Sequence, residues 1–241
     1  MTTTTPSPLH RLRTVATATR AALANPEDTS QVFRIAEALS FGAPKRMTRR
    51  FRSDADGQRL LDSRDDLLTV LRDHERLAAM PEGSLGRAYL RFLESEGITA
   101  DGLVEASVDG TDERYYDPDS DIGYFRERMR DSHDLWHTVT GYKGDLLGEA
   151  SLLAFTFAQT GHPGIGFLAS LGLLFNPSRE GRHMIVDGFR RGRRAAWLPT
   201  RDWAALLERP LDEVRAELGI EAVPDYEPVR ETPWAHRRGA A

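Results

Sequence analysis

The sequence predicts an all-α protein that folds as a single helical domain. Apolar residues recur at helical spacing through most of the chain, and several of these stretches lie between a helix-capping residue and a glycine. No stretch shows the alternation of apolar and polar residues that is typical of a strand, and no linker divides the chain. We therefore expect a disordered tail at 1–8, a helical domain at 9–223 and an extended tail at 224–241.

The amino-terminal segment is basic, rich in threonine and alanine, and free of acidic residues before Glu27. This composition superficially resembles an organelle transit peptide. The helical pattern continues through 27–39 without a break that would suit a cleavage site. We therefore favour a short tail followed by an ordinary first helix.

Three segments follow in the first half of the chain. Leucines at helical spacing predict a helix across 60–71. The segment 84–97 begins with Ser84, which is a suitable N-cap, and ends with Gly97, which is a suitable helix stop. Acidic and turn-forming residues predict a loop at 108–121.

The second half continues the helical pattern. Apolar residues at helical spacing predict one helix over 122–139, and glycines in the following turn end it. Asp145 is a suitable N-cap for the next helix. Near the carboxyl end, a further helix has Pro210 in its first turn and stops at Gly219.

Composition excludes several kinds of site. The chain has no cysteine, so it has no disulfide, thiolate zinc site, iron–sulfur cluster or cysteine nucleophile. Any metal must therefore be held by imidazole and carboxylate groups. The formal net charge of −5 gives no argument for nucleic acid as a partner. The longest apolar run, 164–175, is shorter than the roughly 18 residues that a membrane span needs.

A group of potential metal ligands stands where the predicted helix 122–139 meets the next one. His133 and His137 are four positions apart, so they lie about 40° apart around a helix and can share one ion. Asp134 borders the same face, and the next helix, returning beside the first, can bring Glu149 opposite the histidines. Two imidazoles and two carboxylates suit zinc, and also iron or manganese.

A histidine pair at this spacing also occurs on ordinary surfaces and in ordinary cores. The two carboxylates favour the metal interpretation, because unpaired charges beside the apolar residues Leu135, Trp136, Leu146 and Leu147 would be costly. Packing and metal binding nevertheless both remain open at this point.

The motif His133-Asp134-x-x-His137, followed after eleven residues by Glu149, resembles the signature of the Coq-four family of coenzyme Q biosynthesis. The flanking sequences are similar to that family too: "PEGSLGRAYLRFL" at 81–93, "RERMRDSHDLWHTVTGYKGDLLGE" at 126–149 and "WLPTRDWAALLERPLDEVRAELGI" at 197–220. The likeness extends from about residue 29 to residue 220.

The resemblance implies an all-helical protein with a divalent metal, usually zinc, bound by His133, Asp134, His137 and Glu149. It also implies an apolar groove for a prenyl lipid, peripheral docking on a membrane, and a role in ubiquinone assembly. The implied activity is oxidative decarboxylation and hydroxylation at ring C1 of a polyprenylated hydroxybenzoate. The alternative is a non-catalytic scaffold that binds the lipid and organises other quinone biosynthesis enzymes.

Further predictions concern the groove, the membrane and the location. The groove candidates are apolar residues that follow the metal helices: Phe155, Phe167, Leu168, Leu171 and Phe175. Arginine clusters at 42–52 and 178–198 are either solvated helix faces or contacts with a membrane surface, an anionic group or an acidic partner. We expect the bacterial cytoplasm with peripheral association at the inner membrane, or alternatively the matrix side of the mitochondrial inner membrane. A homodimer is left open.

One competing class shares the doublet His133-Asp134. An HD-type phosphohydrolase would need a further histidine upstream and an aspartate downstream, for which His74 and Asp187 are available. The pattern after Asp134 fits the Coq-four signature better.

Overall fold

The computed structural model describes residues 7–25, 28–110 and 117–230. Within these residues there are fifteen α-helices, one 3-10 turn at Leu198–Thr200 and no strand, which confirms the all-α prediction. The helices in chain order are α1 Pro8–Ala24, α2 Ser30–Ala38, α3 Ala43–Ser53, α4 Ala55–Ser63, α5 Leu67–Arg72, α6 His74–Ala79, α7 Leu85–Glu96, α8 Gly102–Gly110, α9 Asp121–Asp131, α10 His133–Thr140, α11 Leu146–Thr160, α12 Pro163–Phe175, α13 Arg179–Arg194, α14 Trp203–Leu206 and α15 Leu211–Leu218.

Capping residues set several of the helix ends that the sequence predicts. The Ser84 hydroxyl accepts a hydrogen bond from the N–H of Arg87 at the start of α7, and Gly97 ends that helix with a φ of 66°. The Asp145 carboxylate accepts from the N–H of Leu147 at the start of α11. Gly219, with a φ of 64°, ends α15.

The prediction that Pro210 lies in the first turn of the last helix is wrong. Pro210 lies one position before α15. Its ψ of 131° is extended, because Ser84 and Pro210 form an isolated antiparallel bridge. This bridge joins the start of α7 to the start of α15.

Two predicted helices are divided in the structure. The segment 60–71 belongs to α4 and α5, because Arg64 takes a left-handed φ of 54° and ends α4. The segment 122–139 belongs to α9 and α10, which meet at Ser132. The Ser132 hydroxyl donates to the carbonyl of Met129 at 3.4 Å, a local bond of the kind that bends helices.

The predicted loop at 108–121 is wrong at both ends. Helix α8 continues to Gly110 and α9 begins at Asp121. Residues 117–120 form a turn and a cap, because Ser120 accepts from the N–H of Gly123 at 3.0 Å. The middle of the predicted loop, 111–116, lies outside the described residues.

The main core fills the space between α5–α7, α10, α11 and the segment from Leu198 to Ile220. Its largest fully buried side chains include Trp136, Tyr89, Phe155 and Trp203. The packing of this core fixes α10 and the start of α11, which carry the candidate metal ligands.

Helices α11 and α13 pack with their backbones very close together. A Cβ added at Gly188 would lie 2.4 Å from the carbonyl oxygen of Ser151, and one added at Gly192 would lie 2.5 Å from that of Phe155. Only glycine allows this approach, so α13 lies directly against α11 at Ser151 and Phe155.

None of the described helices combines the length and the apolar character that crossing a bilayer requires.

Candidate metal centre

Helices α10 and α11 and the short turn between them position three donor groups. His133 and His137 project from consecutive turns of α10, which ends at Gly141 with a φ of 82°. The chain reverses through this turn, and Asp145 caps α11. Glu149 then stands in the first turn of α11 and faces the two histidines.

Each of His133, His137 and Glu149 offers one ligand atom. These three atoms lie within 4.8 Å of one another, close enough to surround one ion. The Nε2 atom of His137 is 3.2 Å from Oε1 of Glu149, and the Nε2 atom of His133 is 3.8 Å from Oε2. The two imidazole rings are 4.8 Å apart at an interplanar angle of 69°. The arrangement can hold a single divalent cation between two imidazole nitrogens and a carboxylate.

Each imidazole is oriented through its other nitrogen. The Nδ1 atom of His137 lies 3.0 Å from the carbonyl oxygen of Tyr142. Because a carbonyl oxygen only accepts, Nδ1 carries the proton and Nε2 of the neutral ring is free to bind a metal. The Nδ1 atom of His133 is likewise 3.0 Å from the Asp134 carboxylate.

Asp134 therefore lies behind His133, and its carboxylate is not among the three donors that the structure brings together. The residue is 6% exposed, and its backbone carbonyl accepts from the hydroxyl of Thr138 at 2.8 Å. Its role as a fourth ligand stays a prediction, whereas its contact with His133 is a supporting one.

The site is closed on one side and open on the other. The His137 side chain is 1% exposed, and the Phe92 ring stacks on it at 5.1 Å between centroids. The side chains of His133 and Glu149 are 28% and 41% exposed. A bound ion would therefore keep one side accessible to another molecule, which is the pattern of catalytic zinc sites and not of closed structural ones.

The three groups influence each other's protonation. Burial lowers the pKa of His137, but the Glu149 carboxylate, with smaller contributions from Asp134 and the Tyr142 carbonyl, outweighs burial and leaves the pKa above its ordinary value. Burial raises the pKa of Glu149, but His137 and His133 outweigh burial and leave that pKa well below its ordinary value. Glu149 is thus held as a carboxylate, the form that binds metal.

The groove candidates are distributed between the interior and the surface. Phe155 is fully buried and packs against Trp136, with ring centroids 6.2 Å apart. Leu168 is buried in a separate cluster with Ile35. Phe167 and Leu171 are partly exposed, and Phe175 is exposed. Their role in binding a lipid stays a prediction.

The phosphohydrolase candidates do not join the site. His74 and Asp187 are both exposed, and within the described parts of the chain only His133, His137 and Glu149 form a group suited to a metal. The exposed arginines of α13 are Arg179, Arg190, Arg193 and Arg194, whereas Arg191 turns inward and donates to the carbonyl of Thr140 at 2.9 Å.

The sequence did not reveal the supporting contacts of Phe92, Tyr142 and Tyr226. Phe92 comes from α7 and Tyr226 from the carboxyl-terminal segment, where Tyr226 donates to Asp145 at 2.6 Å. These contacts depend on tertiary packing and leave no local pattern. Only Tyr142, five residues after His137, is near enough in sequence to have been a candidate.

Comparison with known proteins gives a consistent result. The family model described as "Coenzyme Q (ubiquinone) biosynthesis protein Coq4" matches residues 2–224. The mitochondrial ubiquinone biosynthesis protein COQ4 homolog of Danio rerio is 33% identical over 208 residues, which cover 85% of this chain and 74% of that protein. The Homo sapiens homolog is 31% identical over 226 residues, covering 90% and 81%.

A mitochondrial ubiquinone biosynthesis protein coq4 from Talaromyces stipitatus is 34% identical over 181 residues, and the match spans 74% of this chain and 60% of that protein. The crystal structure of a protein from Nostoc punctiforme superposes with a TM-score of 0.67 at 23% identity, covering 90% of this chain and 100% of that one, and supports the fold alone. The family resemblance in the sequence is therefore confirmed: the chain belongs to the coenzyme Q (ubiquinone) biosynthesis protein Coq4 family.

Proposed function

We propose that this chain is a metal-dependent enzyme of ubiquinone biosynthesis. It binds a polyprenylated hydroxybenzoate-type intermediate and promotes oxidative decarboxylation and hydroxylation at ring C1. The observation that carries this proposal is the group of His133, His137 and Glu149, whose ligand atoms lie within 4.8 Å at a site that is open on one side.

The donor set suits a resident divalent metal. Two neutral imidazoles and one carboxylate are a frequent set of protein ligands for catalytic zinc, and the same atoms accept iron or manganese. Zinc is our first assignment. When bound, the ion supplies positive charge and Lewis acidity beside the substrate's carboxylate.

The chain's own residues prepare this site. Asp134 and the Tyr142 carbonyl orient the two imidazoles, and such supporting contacts keep the unprotonated nitrogens aimed at one point. The Phe92 ring covers His137 and excludes water from that side. The exposed side, between His133 and Glu149, is where we place the anionic head group of the substrate.

The proposed reaction replaces the carboxylate at ring C1 with a hydroxyl. The bond between ring C1 and the carboxylate breaks and releases carbon dioxide, and a hydroxyl from water takes its place. The ring loses two electrons, which we assign to dioxygen, reduced to hydrogen peroxide.

The prenyl tail and the membrane belong to the same proposal. The exposed apolar side chains Leu174 and Phe175 end α12, and the exposed Arg179 begins α13 four residues later. An apolar helix end followed closely by an arginine suits a lipid surface with anionic head groups. We place the protein at the bacterial inner membrane as a peripheral protein, beside the other quinone biosynthesis enzymes. The named relatives are mitochondrial proteins, so the matrix side of the mitochondrial inner membrane is the alternative.

The test is turnover by the full chain. The untagged protein is loaded with zinc, manganese or iron and given a prenylated 4-hydroxybenzoate that carries ¹³C in its carboxylate, under air. With at least one of the three metals, we expect labelled carbon dioxide and a ring-hydroxylated product. His137→Ala should form neither product. His74→Ala, which alters an exposed histidine outside the site, is the matched control. Binding of metal and lipid without any product would contradict the enzyme and favour a scaffold.

A further inference from the structure

The carboxyl-terminal segment 221–230 runs across the joint between the two helices that carry the candidate metal ligands. The N–H of Val223 donates to the carbonyl of Thr140, at the end of α10, at 3.0 Å. The N–H of Val229 donates to the carboxylate of Asp145, the cap of α11, at 2.7 Å. The segment therefore bonds to both ends of the turn that brings the ligands together.

Tyr226 is the central contact of this segment. Its hydroxyl donates to Asp145 at 2.6 Å and accepts from the N–H of Lys143 at 2.9 Å. A Cβ added at Gly148 would lie 2.5 Å from the same hydroxyl oxygen. The hydroxyl thus occupies the space beside Gly148, the residue that directly precedes Glu149.

The sequence of the segment explains how it lies along the surface. Val223, Tyr226 and Val229 are partly buried, and the residues between them are exposed. A spacing of three is typical of the extended polyproline conformation, which Pro224 and Pro228 favour. The side chains of Tyr226 and Val229 pack against the buried cluster that α11 forms with α12 and α13, which includes Leu147 in the first turn of α11. Both residues lie beyond residue 224, where the family match ends.

Asp145 connects the segment to the metal ligands. It is 2% exposed, and its two carboxylate oxygens accept from Leu147, Tyr226 and Val229. The first of these bonds fixes the start of α11, and the other two fix Asp145 itself. Without them, a buried carboxylate would lose most of its partners and the first turn of α11 would loosen.

We propose that Tyr226 and Val229 are positioning residues for the metal centre. Through Asp145 they hold the first turn of α11 so that Glu149 faces His133 and His137. This inference rests on the proposed metal site, but the ordering of the helix start can be measured without a metal.

The experiment compares the full chain with Tyr226→Phe and Tyr226→Ala. Tyr226→Phe keeps the ring and removes the hydroxyl that bridges Lys143 and Asp145. The control is Asp225→Asn, since the Asp225 side chain is 90% exposed and its charge pairs with Nζ of Lys143, away from Asp145. Three quantities are measured: Zn²⁺ affinity by competition with a chelator, amide hydrogen exchange of residues 146–150 in the metal-free chain, and the free energy of unfolding.

We expect Tyr226→Phe to weaken Zn²⁺ binding about tenfold, as loss of a supporting contact does in metal sites. Exchange at 146–150 should become faster, and Tyr226→Ala should enlarge both effects. Asp225→Asn should match the wild type. The global free energy of unfolding should change too little to account for the loss of affinity.

Unchanged Zn²⁺ affinity and unchanged exchange in Tyr226→Phe would overturn the inference. A wild-type chain that binds no Zn²⁺ would contradict the proposed metal site instead. In that case faster exchange in Tyr226→Phe would still support the ordering of α11, and unchanged exchange would overturn it.

Discussion

The Nε2 atom of His137 lies 3.2 Å from Oε1 of Glu149, across a turn that reverses the chain between α10 and α11. Neither residue could reach the other without that turn. The contact gives the metal proposal its geometry, because His133 stands one helical turn before His137 and joins the same pair.

The role of Asp134 can be measured. Asp134→Asn keeps the size of the side chain but weakens its hold on the Nδ1 proton of His133. Because the carboxylate lies behind His133 and outside the group of three donors, we expect zinc affinity to fall by about 10–100-fold and not to vanish. Competition with a chelator checks this, with Asp225→Asn as the control. Complete loss of binding would instead make Asp134 a ligand.

The stability of the metal-free chain should depend on pH through His137 and Glu149. Burial lowers the pKa of His137, but Glu149 outweighs burial and holds it above 6.5. A raised histidine pKa stabilises the fold below pH 6.5, and the effect is lost as the pH rises through the folded value. Burial raises the pKa of Glu149, but His137 and His133 together outweigh burial and hold it below 4.5, so the stabilising effect is present above pH 4.5 and lost as the pH falls.

The two pKa shifts arise from one interaction between His137 and Glu149. Its stabilising effect should therefore be strongest between pH 4.5 and pH 6.5, the unfolded-state pKa values of the two groups. We expect the free energy of unfolding to fall by about 1 kcal/mol or less between pH 6 and pH 8.5, because the Glu149 side chain is 41% exposed and solvent screens the interaction. Chemical denaturation across this range, with Glu149→Gln beside the wild type, measures it. If Glu149→Gln showed the same pH dependence as the wild type, another group would be responsible.

The N-cap of α7 should contribute measurably to stability. Ser84 is 1% exposed, and its hydroxyl accepts from the N–H of Arg87 at 3.2 Å. Ser84→Ala leaves that N–H without its partner, so we expect a loss of about 1 kcal/mol in the free energy of unfolding. Ser95→Ala, at an exposed position of the same helix, should cost less. Equal losses for the two variants would mean that the cap bond contributes nothing.

A methyl group at Gly188 should disrupt the packing of α13 against α11. The added Cβ would meet the carbonyl oxygen of Ser151 at 2.4 Å, and a backbone atom cannot move aside cheaply. We expect Gly188→Ala to lower the free energy of unfolding by about 1–3 kcal/mol. Gly102→Ala is the matched control, because nothing lies within 4 Å of its added Cβ. A neutral Gly188→Ala would show that the helices can separate without loss.

Short-range chemistry made part of this structure predictable. The helix caps Ser84, Asp145 and Gly97 act on backbone atoms a few residues away. Their residue types alone therefore indicate a helix end. The pairing of His133 with His137 follows from helical geometry. The position of Glu149 opposite them follows from the turn that two glycines indicate. These parts of the site needed no knowledge of the tertiary fold.

Other features depend on distant residues or on single backbone angles. The left-handed Arg64 and the helix break at Ser132 divide stretches whose apolar spacing predicts continuous helices. Phe92 and Tyr226 reach the site from elements far away in sequence. Phe155 matches the composition of a lipid groove, yet the packing of α10 against α11 encloses it completely.

Whether His133, His137 and Glu149 hold a metal is decided by the metal content of the full chain, purified without a histidine tag, beside Glu149→Gln prepared in the same way. Glu149→Gln keeps the shape of the side chain and removes the charge that faces the two histidines. We expect about one equivalent of a divalent metal per wild-type chain and a large loss in the variant. A wild-type chain that contains no metal, and takes up none when zinc, iron or manganese is supplied, would contradict the proposed metal site.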